Sequence, residues 1–437
     1  MIKKSFMSIL LIIAVLCPMT NFNGVYAATI DTQTSQLQTV MDETAKLLMN
    51  TVKDPAISQV GGEWTILGLS RSGYSAPAGY YDQYVQNVEK ELLEKSGVLT
   101  SVKYTEYSRL ILALTAIGRD ADSIGGYNLL EKLADFDNVK KQGVNGPAFA
   151  LLALDSHGYE IPVAAASRTI ANGGTVTTRE GLIEYLLNKG PVAGDADRTG
   201  IVLQALAKYK DRKEVKAFSE KAFQLIDGLE NSDGSFPYGG VAASESIAQV
   251  IVAKTMWGID CRENVEALLG YYMNGGGFEH VRGQGFDLMA TEQALYALTA
   301  YERSITGKTA LYDMTDVVIF SPAEIRVSLN GNYIAFDQPP VIENSRTLVP
   351  MRAIFEAFGA VVTWNQETKT VTGTLGNKVV TLTVGDKTSY VNGEAATLDV
   401  PAKIINGRTM VPVRFISESL DADVQWIQSP MTVVITK

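Results

Sequence analysis

The stretch ILALT, residues 111–115, has five relatives elsewhere in the chain, and these repeats decide the fold. Each copy places a small residue at the centre of an apolar run, and successive copies are 40 to 52 residues apart. That spacing has the length of one helical hairpin, which is typical of helical repeat proteins. The copies are ILGLS (66–70), ILALT (111–115), LLALD (151–155), LQALA (203–207), IVAKT (251–255) and LYALT (295–299).

Amphipathic segments lie between the copies, with apolar residues three or four positions apart and charged residues on the opposite face. We expect them to be outer helices that pack on an inner ring formed by the apolar repeats. The segments are 34–52, 81–96, 179–189 and 215–229. Six inner and six outer helices predict an all-α toroid over residues 28–315, with an open solenoid of helical pairs as the alternative.

After Asp316 the pattern changes from helical to the alternation typical of strands. RTLVPMR (346–352) recurs as RTMVPVR (408–414), and Trp364 recurs as Trp426, both at an offset of 62 residues. In each copy a proline precedes a short amphipathic segment, as at the first turn of a helix. We therefore predict a small α+β domain with an internal duplication over residues 316–437, and a multidomain chain.

The two ends and the charge of the chain limit its function. A chain of 437 residues exceeds one ordinary core. The net charge of −10, with no basic block, argues against nucleic-acid binding.

Residues 1–27 have the order of a secretory signal peptide: two lysines, an apolar run and small residues before Ala28. No later apolar run is long enough to span a membrane. We predict a secreted protein, extracellular or associated with the cell envelope of a Gram-positive type bacterium.

Two glycine-rich loops carry a family resemblance. NSDGSFPYGG (231–240) and NGGGFEH (274–280) each contain Gly-x-Phe. The helical region resembles the prenyltransferase and squalene-cyclase-like repeat superfamily, whose turns before inner helices often carry a related motif. The candidate ligand contacts in these loops are Phe236, Tyr238, Phe278, His280 and Arg282. The alternative is a turn supported by glycine, with an aromatic plug between helices.

The segment GDADRTGIVLQAL (194–206) resembles the acid motif of squalene cyclases in Asp195, Asp197 and Thr199. The resemblance implies a catalytic acid at Asp197, with Asp195 beside it. Arg198 departs from the motif and would lower the pKa of Asp197. The residues favour a different role, in which Asp197, like Thr105 and Asn145 of other copies, is the N-cap of an inner helix.

The second domain closely resembles the copper amine oxidase N-terminal domain, which is common on exported bacterial proteins. Copper is not implied, because no His or Cys follows residue 315. A zinc site is not expected in the helical region either, since only Cys261 and two histidines remain after the signal peptide. We predict no metal and no cofactor. The repeated arginines of the duplication, Arg346, Arg352, Arg408 and Arg414, are interpreted as structural corners in preference to contacts with an envelope polymer.

Three functions compete on these observations. The first is an exported envelope-associated protein whose toroid binds a ligand or partner, either a cell-wall polymer or a small apolar molecule, with the second domain as stalk or attachment unit. The second is an isoprenoid cyclase or lyase that uses Asp197 as its acid. The third is a glycan-active enzyme, which needs two facing carboxylates. The candidates for that pair are Glu63, Asp195, Asp197 and Glu292.

Overall fold

The structure is a computed structural model that describes residues 22–319, 325–427 and 431–437, apart from residues 78 and 239. Side chains are described from residue 35 onward, apart from that of Tyr238. The predicted signal peptide, residues 1–27, therefore lies mostly outside the described residues. Residues 1–40 and 41–437 form two units. Residues 22–40 of the first unit are helical.

The chain is helical up to residue 305, and its helices match the predicted segments closely. The α-helices are α1 (Phe22–Thr51), α2 (Glu63–Ser72), α3 (Tyr80–Glu94), α4 (Thr105–Ala116), α5 (Phe136–Val139), α6 (Asn145–Ser156), α7 (Val163–Ala171), α8 (Arg179–Lys189), α9 (Ala196–Leu206), α10 (Lys213–Leu229), α11 (Ser244–Trp257), α12 (Arg262–Leu269) and α13 (Leu288–Ile305). Short 3-10 turns cover Leu129–Leu133, Lys140–Gln142 and Ala207–Tyr209.

The six repeats lie in α2, α4, α6, α9, α11 and α13, and these helices contact one another in cyclic order. Each packs against the next, and α13 closes the cycle by packing against α2. The small residue at the centre of each repeat makes the close approach possible. A Cβ atom on Gly68 of α2 would lie 3.4 Å from the Leu295 side chain of α13. The equivalent alanines of the other copies are buried.

The outer layer departs from the prediction between α4 and α6. Here the 3-10 turns and the four-residue helix α5 occupy the position of an outer helix. Asn128 and Asp135 explain the interruption, because their side chains accept hydrogen bonds from the backbone and each starts a new short turn. Short strands lie in the loops before α11 and α13: β1 (Pro237–Tyr238), β2 (Val241–Ala242), β3 (Tyr272–Met273), β4 (Gly277–Glu279) and β5 (Phe286–Asp287).

The predicted α+β domain with its internal duplication follows, and the predicted fold class is confirmed. Its elements are β6 (Arg326–Leu329), β7 (Asn332–Tyr333), β8 (Val341–Glu343), β9 (Arg346–Pro350), α14 (Met351–Ala357), β10 (Val361–Asn365), β11 (Thr370–Leu375), β12 (Lys378–Thr383), β13 (Thr388–Val391), β14 (Glu394–Thr397), β15 (Lys403–Ile405), β16 (Arg408–Pro412), α15 (Val413–Ser419), β17 (Asp423–Ile427) and β18 (Thr432–Thr436).

Three sheets form this domain around one apolar core. Strands β10 to β14 form an antiparallel meander, and a second sheet has the order β15-β16-β9-β8. The third sheet has the order β17-β18-β6-β7, in which β18 pairs with β6 in parallel. In the second sheet Val349 pairs with Val411, its own equivalent in the duplication, so the two halves are related by a local pseudo-twofold axis at this pair.

The second domain is fastened to the helical region through a buried ion pair. Arg119, which follows α4, pairs with Asp82 of α3, and both side chains are about 5% exposed. The hydroxyl of Tyr333 on β7 lies 3.1 Å from Asp82 Oδ1 and 3.1 Å from the Arg119 guanidinium. Gly331 closes the same contact, because a Cβ atom there would lie 2.3 Å from the carbonyl oxygen of Ala76. Helical region and second domain therefore share buried polar contacts.

Candidate functional site

The inner helices begin at the same end of the ring. Early residues of neighbouring helices contact each other, as in the hydrogen bond of 2.7 Å from Thr65 Oγ1 to Glu292 Oε2, so these helices run parallel. Carboxylates occupy the first turn of several of them, including Glu63, Asp197 and Glu245. We call this end of the ring, with its first-turn carboxylates, the acidic mouth.

Asp195, and not Asp197, is the N-cap of α9. Its Oδ1 accepts a hydrogen bond of 2.7 Å from the backbone N–H of Arg198, and its Oδ2 accepts one of 2.7 Å from the Arg198 side chain. The prediction that Asp197 is the cap was therefore wrong by two residues. The same prediction was wrong for Thr105 and Asn145, which are the first helical residues of α4 and α6 and make no capping bond. Asp287 does cap α13.

Asp197 does not cap the helix, and its side chain lies largely buried in the acidic mouth. Burial is the main cause that raises its pKa from 3.8 to about 7, and the nearby charges of Asp195 and Glu245 raise the pKa further. Arg198 lowers it only weakly, because this exposed side chain is bound to Asp195. Arg198 therefore acts in the expected direction, but burial and the neighbouring carboxylates outweigh it. Asp197 can hold a proton near neutral pH.

Glu245, on the neighbouring helix α11, is the second carboxylate on this side of the mouth. It is about 8% exposed, and its Oε2 lies 2.7 Å from Nδ1 of His280. The backbone of His280 is fixed in turn, since its carbonyl accepts a hydrogen bond of 3.1 Å from Ser244 N. The contact with His280 holds the Glu245 carboxylate in position, so His280 lies at the acidic mouth.

Two further carboxylates line the mouth on α2 and α13. Glu292 accepts hydrogen bonds from Thr65 Oγ1 and, at 3.0 Å, from Gly61 N, yet burial raises its pKa to about 7. Burial also raises the pKa of Glu63, which accepts a hydrogen bond of 2.7 Å from Ser58 N. Asp197 and Glu292 both act electrostatically on the buried hydroxyl of Tyr296. Two carboxyl groups with raised pKa values, one on α9 and one on α13, therefore lie near this tyrosine.

Aromatic side chains lie between these acids. The ring of Trp64 is 5.5 Å from that of Phe149 and 5.6 Å from that of Tyr296, so α2, α6 and α13 meet through one aromatic cluster. The guanidinium of Arg109 on α4 lies 6.0 Å from the Trp64 ring. Among the described residues Arg109 Nε is buried and has no hydrogen-bond partner. Acids, one arginine and an aromatic surface are the components of a site for a polar ligand with apolar faces.

The other loop residues named as candidate ligand contacts pack against the protein or pair with its own side chains. Phe236 and Phe278 are fully buried, which agrees with the aromatic-plug alternative. Arg282 forms an ion pair of 3.0 Å with Asp233 and stacks on Tyr271. The side chain of Tyr238 lies outside the described residues. The glycine-rich loop closes on itself, since the N–H groups of Gly283 and Gly285 each donate 2.8 Å hydrogen bonds to the Glu279 carboxylate.

Sequence reasoning missed Glu245, Arg109 and Trp64 as members of the site. A usable signal was present, because Glu63, Glu106, Asp197 and Glu245 all fall in the first turn of a repeat helix. Parallel helices in a ring bring such positions to one end. Cys261, the one cysteine of the described residues, is buried, with an exposure of 3%.

Within residues 22–319, 325–427 and 431–437, no group of three or more His, Cys, Asp or Glu side chains is arranged to hold a metal ion. None of the helices in these ranges is both long enough and apolar enough to cross a membrane.

Comparison with known proteins gives a clear match for the second domain only. The family model of the copper amine oxidase N-terminal domain matches residues 328–435, which confirms that resemblance. A protein of Brevibacillus choshinensis described as a protease inhibitor is 33% identical over 113 residues, a quarter of this chain. The chain spans about a third of the length of that relative, 34%.

The helical region resembles solved glycosidase structures at a low level. Two of them, one in complex with glucose, have TM-scores of 0.41 and 0.40 and 11% sequence identity. Each match covers 61% of this chain and 98% of the glycosidase. A TM-score below 0.5 carries no argument about activity. The resemblance to the prenyltransferase and squalene-cyclase-like superfamily stays a prediction.

Proposed function

We propose that the helical domain is a glycan-active enzyme that cleaves glycosidic bonds by general acid catalysis at the acidic mouth. The observation that carries the proposal is the environment of Asp197. This carboxyl group has a pKa raised to about 7 and lies beside Glu245, whose partner is His280. Most glycosidases use such a pair, one carboxylic acid that donates a proton and one carboxylate that acts as base or nucleophile.

The division of roles follows from the surroundings. Asp197 is the proton donor, because burial raises its pKa to about 7, so that a substantial fraction of the carboxyl groups carries a proton near neutral pH. Glu245 is the partner carboxylate, because its contact with His280 fixes the position of its side chain beside Asp197. The rings of Trp64 and Phe149 supply apolar faces on which a sugar ring can pack. Glu292 is a second candidate donor, with a pKa also raised to about 7.

The isoprenoid cyclase alternative is less well supported. Its acid must protonate an alkene in an apolar cavity. The charged groups around Asp197 are instead Asp195, Glu245 and Arg198. A polar substrate suits this environment better.

We further propose that the protein is exported and associated with the cell envelope, as the pattern of residues 1–27 and the acidic composition suggest. An exported helical domain would meet glycans of the envelope or the surroundings. Stalk or attachment is then the role of the second domain.

The test is glycan cleavage by the mature chain, residues 28–437, measured as release of reducing ends from a panel of envelope and extracellular polysaccharides. Asp197→Asn keeps the shape of the side chain but removes the carboxyl group that would donate the proton. We expect it to lower kcat on any cleaved glycan by about 10²–10⁴-fold, the usual contribution of a general acid. Asp211→Asn, at an exposed position before α10, is the matched control and should leave kcat unchanged.

The pH profile adds a second readout. Because Asp197 must be protonated, kcat/KM should fall as the pH rises through about 7. Equal activity of the wild type and of Asp197→Asn would contradict the proposal. So would binding of a glycan without any release of reducing ends, which would instead favour a binding function for the ring.

A further inference from the structure

The duplication of the second domain creates two equivalent clefts. Because Val349 pairs with Val411 at the pseudo-twofold axis, the loop and strand of one half lie beside the helix of the other. Cleft A, of about 330 Å³, takes residues within 342–347 from the first half and residues within 412–414, 424–426 and 431–433 from the second. Cleft B, of about 630 Å³, takes residues within 335–337 and 350–371 from the first half and within 404–409 from the second. Each cleft is thus built by both halves.

The linings correspond at the offset of 62 residues. Most positions that line cleft A have their equivalent in the lining of cleft B. The identical equivalent pairs are Ile342 with Ile404, Arg346 with Arg408, Thr347 with Thr409, Pro350 with Pro412, Arg352 with Arg414, Val362 with Val424, Trp364 with Trp426, and Val371 with Val433.

Identity at the exposed positions is the informative part, since a fold places few demands on them. Ile342 and Ile404 are 51% and 50% exposed, which is unusual for isoleucine, and both halves retain them. The first strand after each helix supplies an internal control. Its cleft-facing tryptophan is the same in both halves, whereas the alternate, exposed positions differ, Val361 against Asp423 and Thr363 against Gln425. The two halves therefore agree at most positions that line both clefts, with Ser345 against Gly407 and Met351 against Val413 as the exceptions.

Two arginines line each cleft, and cleft B also contains the carboxylates of Asp337 and Glu356. The outer arginine of each cleft, Arg346 or Arg408, is paired with a carboxylate, Asp399 or Asp337 respectively. The second arginine, Arg414 in cleft A and Arg352 in cleft B, is exposed. In the described residues neither of these two makes a hydrogen bond or ion pair.

We propose that each cleft binds one anionic group of an acidic glycan. The guanidinium of Arg352 or Arg414 holds the carboxylate or phosphate, since its fork of donors matches either group. Trp364 or Trp426 packs against the adjoining sugar ring. Two equivalent clefts on one domain fit a polymer that repeats the same anionic unit. This revises the interpretation of the four arginines as structural corners for Arg352 and Arg414.

The proposal does not depend on the catalytic role of Asp197, and the experiment keeps the two apart. Binding of oligogalacturonate to the mature chain is measured by titration calorimetry, with fully methyl-esterified oligogalacturonate as the uncharged control. A poly(glycerol phosphate) oligomer tests whether phosphate replaces carboxylate. The probes are also titrated into Asp197→Asn, which should bind them as tightly as the wild type does.

We expect binding of an anionic probe, none of the ester, and weaker binding at higher salt. Arg352→Gln and Arg414→Gln should each weaken binding about tenfold, and the double variant should abolish it. Lys387→Gln, an exposed change outside both clefts, should weaken binding little.

Three results would overturn the proposal: no binding of either anionic polymer by the folded chain, equal binding of the ester, or full binding by the double arginine variant. Far-UV circular dichroism of each variant shows whether it is folded. If the mature chain binds an anionic probe but cleaves no glycan, the function proposed for the ring is contradicted. The proposal for the clefts is then unaffected.

Discussion

The acidic mouth and the duplicated domain treat their carboxylates in opposite ways. In the mouth, Asp197 and Glu292 are buried away from strong cationic partners, and the pKa of each is raised to about 7. In the duplicated domain, Asp337 and Asp399 are exposed and bound to arginines, which lowers the pKa of both. The carboxyl groups of the acidic mouth lower stability but can hold a proton near neutral pH. The exposed ion pairs of the duplicated domain only fix the position of a side chain. Chemistry is therefore expected in the ring and recognition in the second domain.

The largest expected effect concerns the contact that joins the two regions. Asp82→Ala leaves the buried Arg119 guanidinium without its charge partner and also removes an acceptor from Tyr333. Loss of one partner of a buried ion pair costs about 3–5 kcal/mol. Urea unfolding followed by circular dichroism measures this loss.

Glu94→Ala serves as the control for that variant, because the ion pair of Glu94 with Lys90 is exposed and contributes about 1 kcal/mol or less. A loss as small as that of the control would show that the two regions do not depend on the Asp82 contact. A split into two unfolding transitions would show that the contact alone joins them.

The next effect is on stability and its pH dependence in the ring. The folded state holds the Asp197 proton up to about pH 7, whereas the unfolded state releases it near its ordinary pKa of 3.8. Between these values the folded state binds more protons, so its stability falls as the pH rises. Asp197→Asn should remove this fall and raise the free energy of unfolding at pH 8 by about 1.4 kcal/mol or more, the equivalent of one pKa unit.

Chemical denaturation of wild type and Asp197→Asn at pH 5 and pH 8 measures the difference. Asp211→Asn again controls for the loss of a charge. A gain that is the same at both pH values would contradict the burial of an ionisable group. The combination of greater stability and lost activity in Asp197→Asn would mark the residue as functional.

The cap of α9 gives the third effect. Asp195→Ala removes the side chain that accepts from Arg198 N and should cost about 0.5–2 kcal/mol. Asp195→Asn should be nearly neutral, since asparagine caps as well as aspartate does. Thermal melting compares the two variants. If Asp195→Asn lost as much stability as Asp195→Ala, the ion pair with the Arg198 side chain would matter more than the cap.

The error at this cap shows what the sequence can and cannot predict. The repeats predicted every inner helix, because small residues between apolar ones are what closely packed helices need. The helix start was missed by two residues, since Asp195 and Asp197 are both good caps and only the backbone path selects one. The acid itself was then undervalued, because the pKa of Asp197 depends on burial and on Glu245, 48 positions later in the chain. Local sequence patterns predict the helices, but the composition of the site depends on which helices become neighbours when the ring closes.

The smallest expected effect is at the exposed ion pairs of the duplicated domain. Asp399→Asn breaks the pair with Arg346, and Asp337→Asn breaks its equivalent with Arg408. Because these pairs are in solvent, we expect the melting temperature at neutral pH to stay unchanged. Their contribution is present above the ordinary pKa of aspartate and is lost as the pH falls through the lowered pKa, so any small difference between the wild type and these variants is confined to neutral pH and disappears in acid. Melting curves at pH 3 and pH 7 test this. A large drop in melting temperature at pH 7 would show that these carboxylates hold the corners of the fold. The two regions would then differ in where their carboxylates lie but not in what the carboxylates contribute.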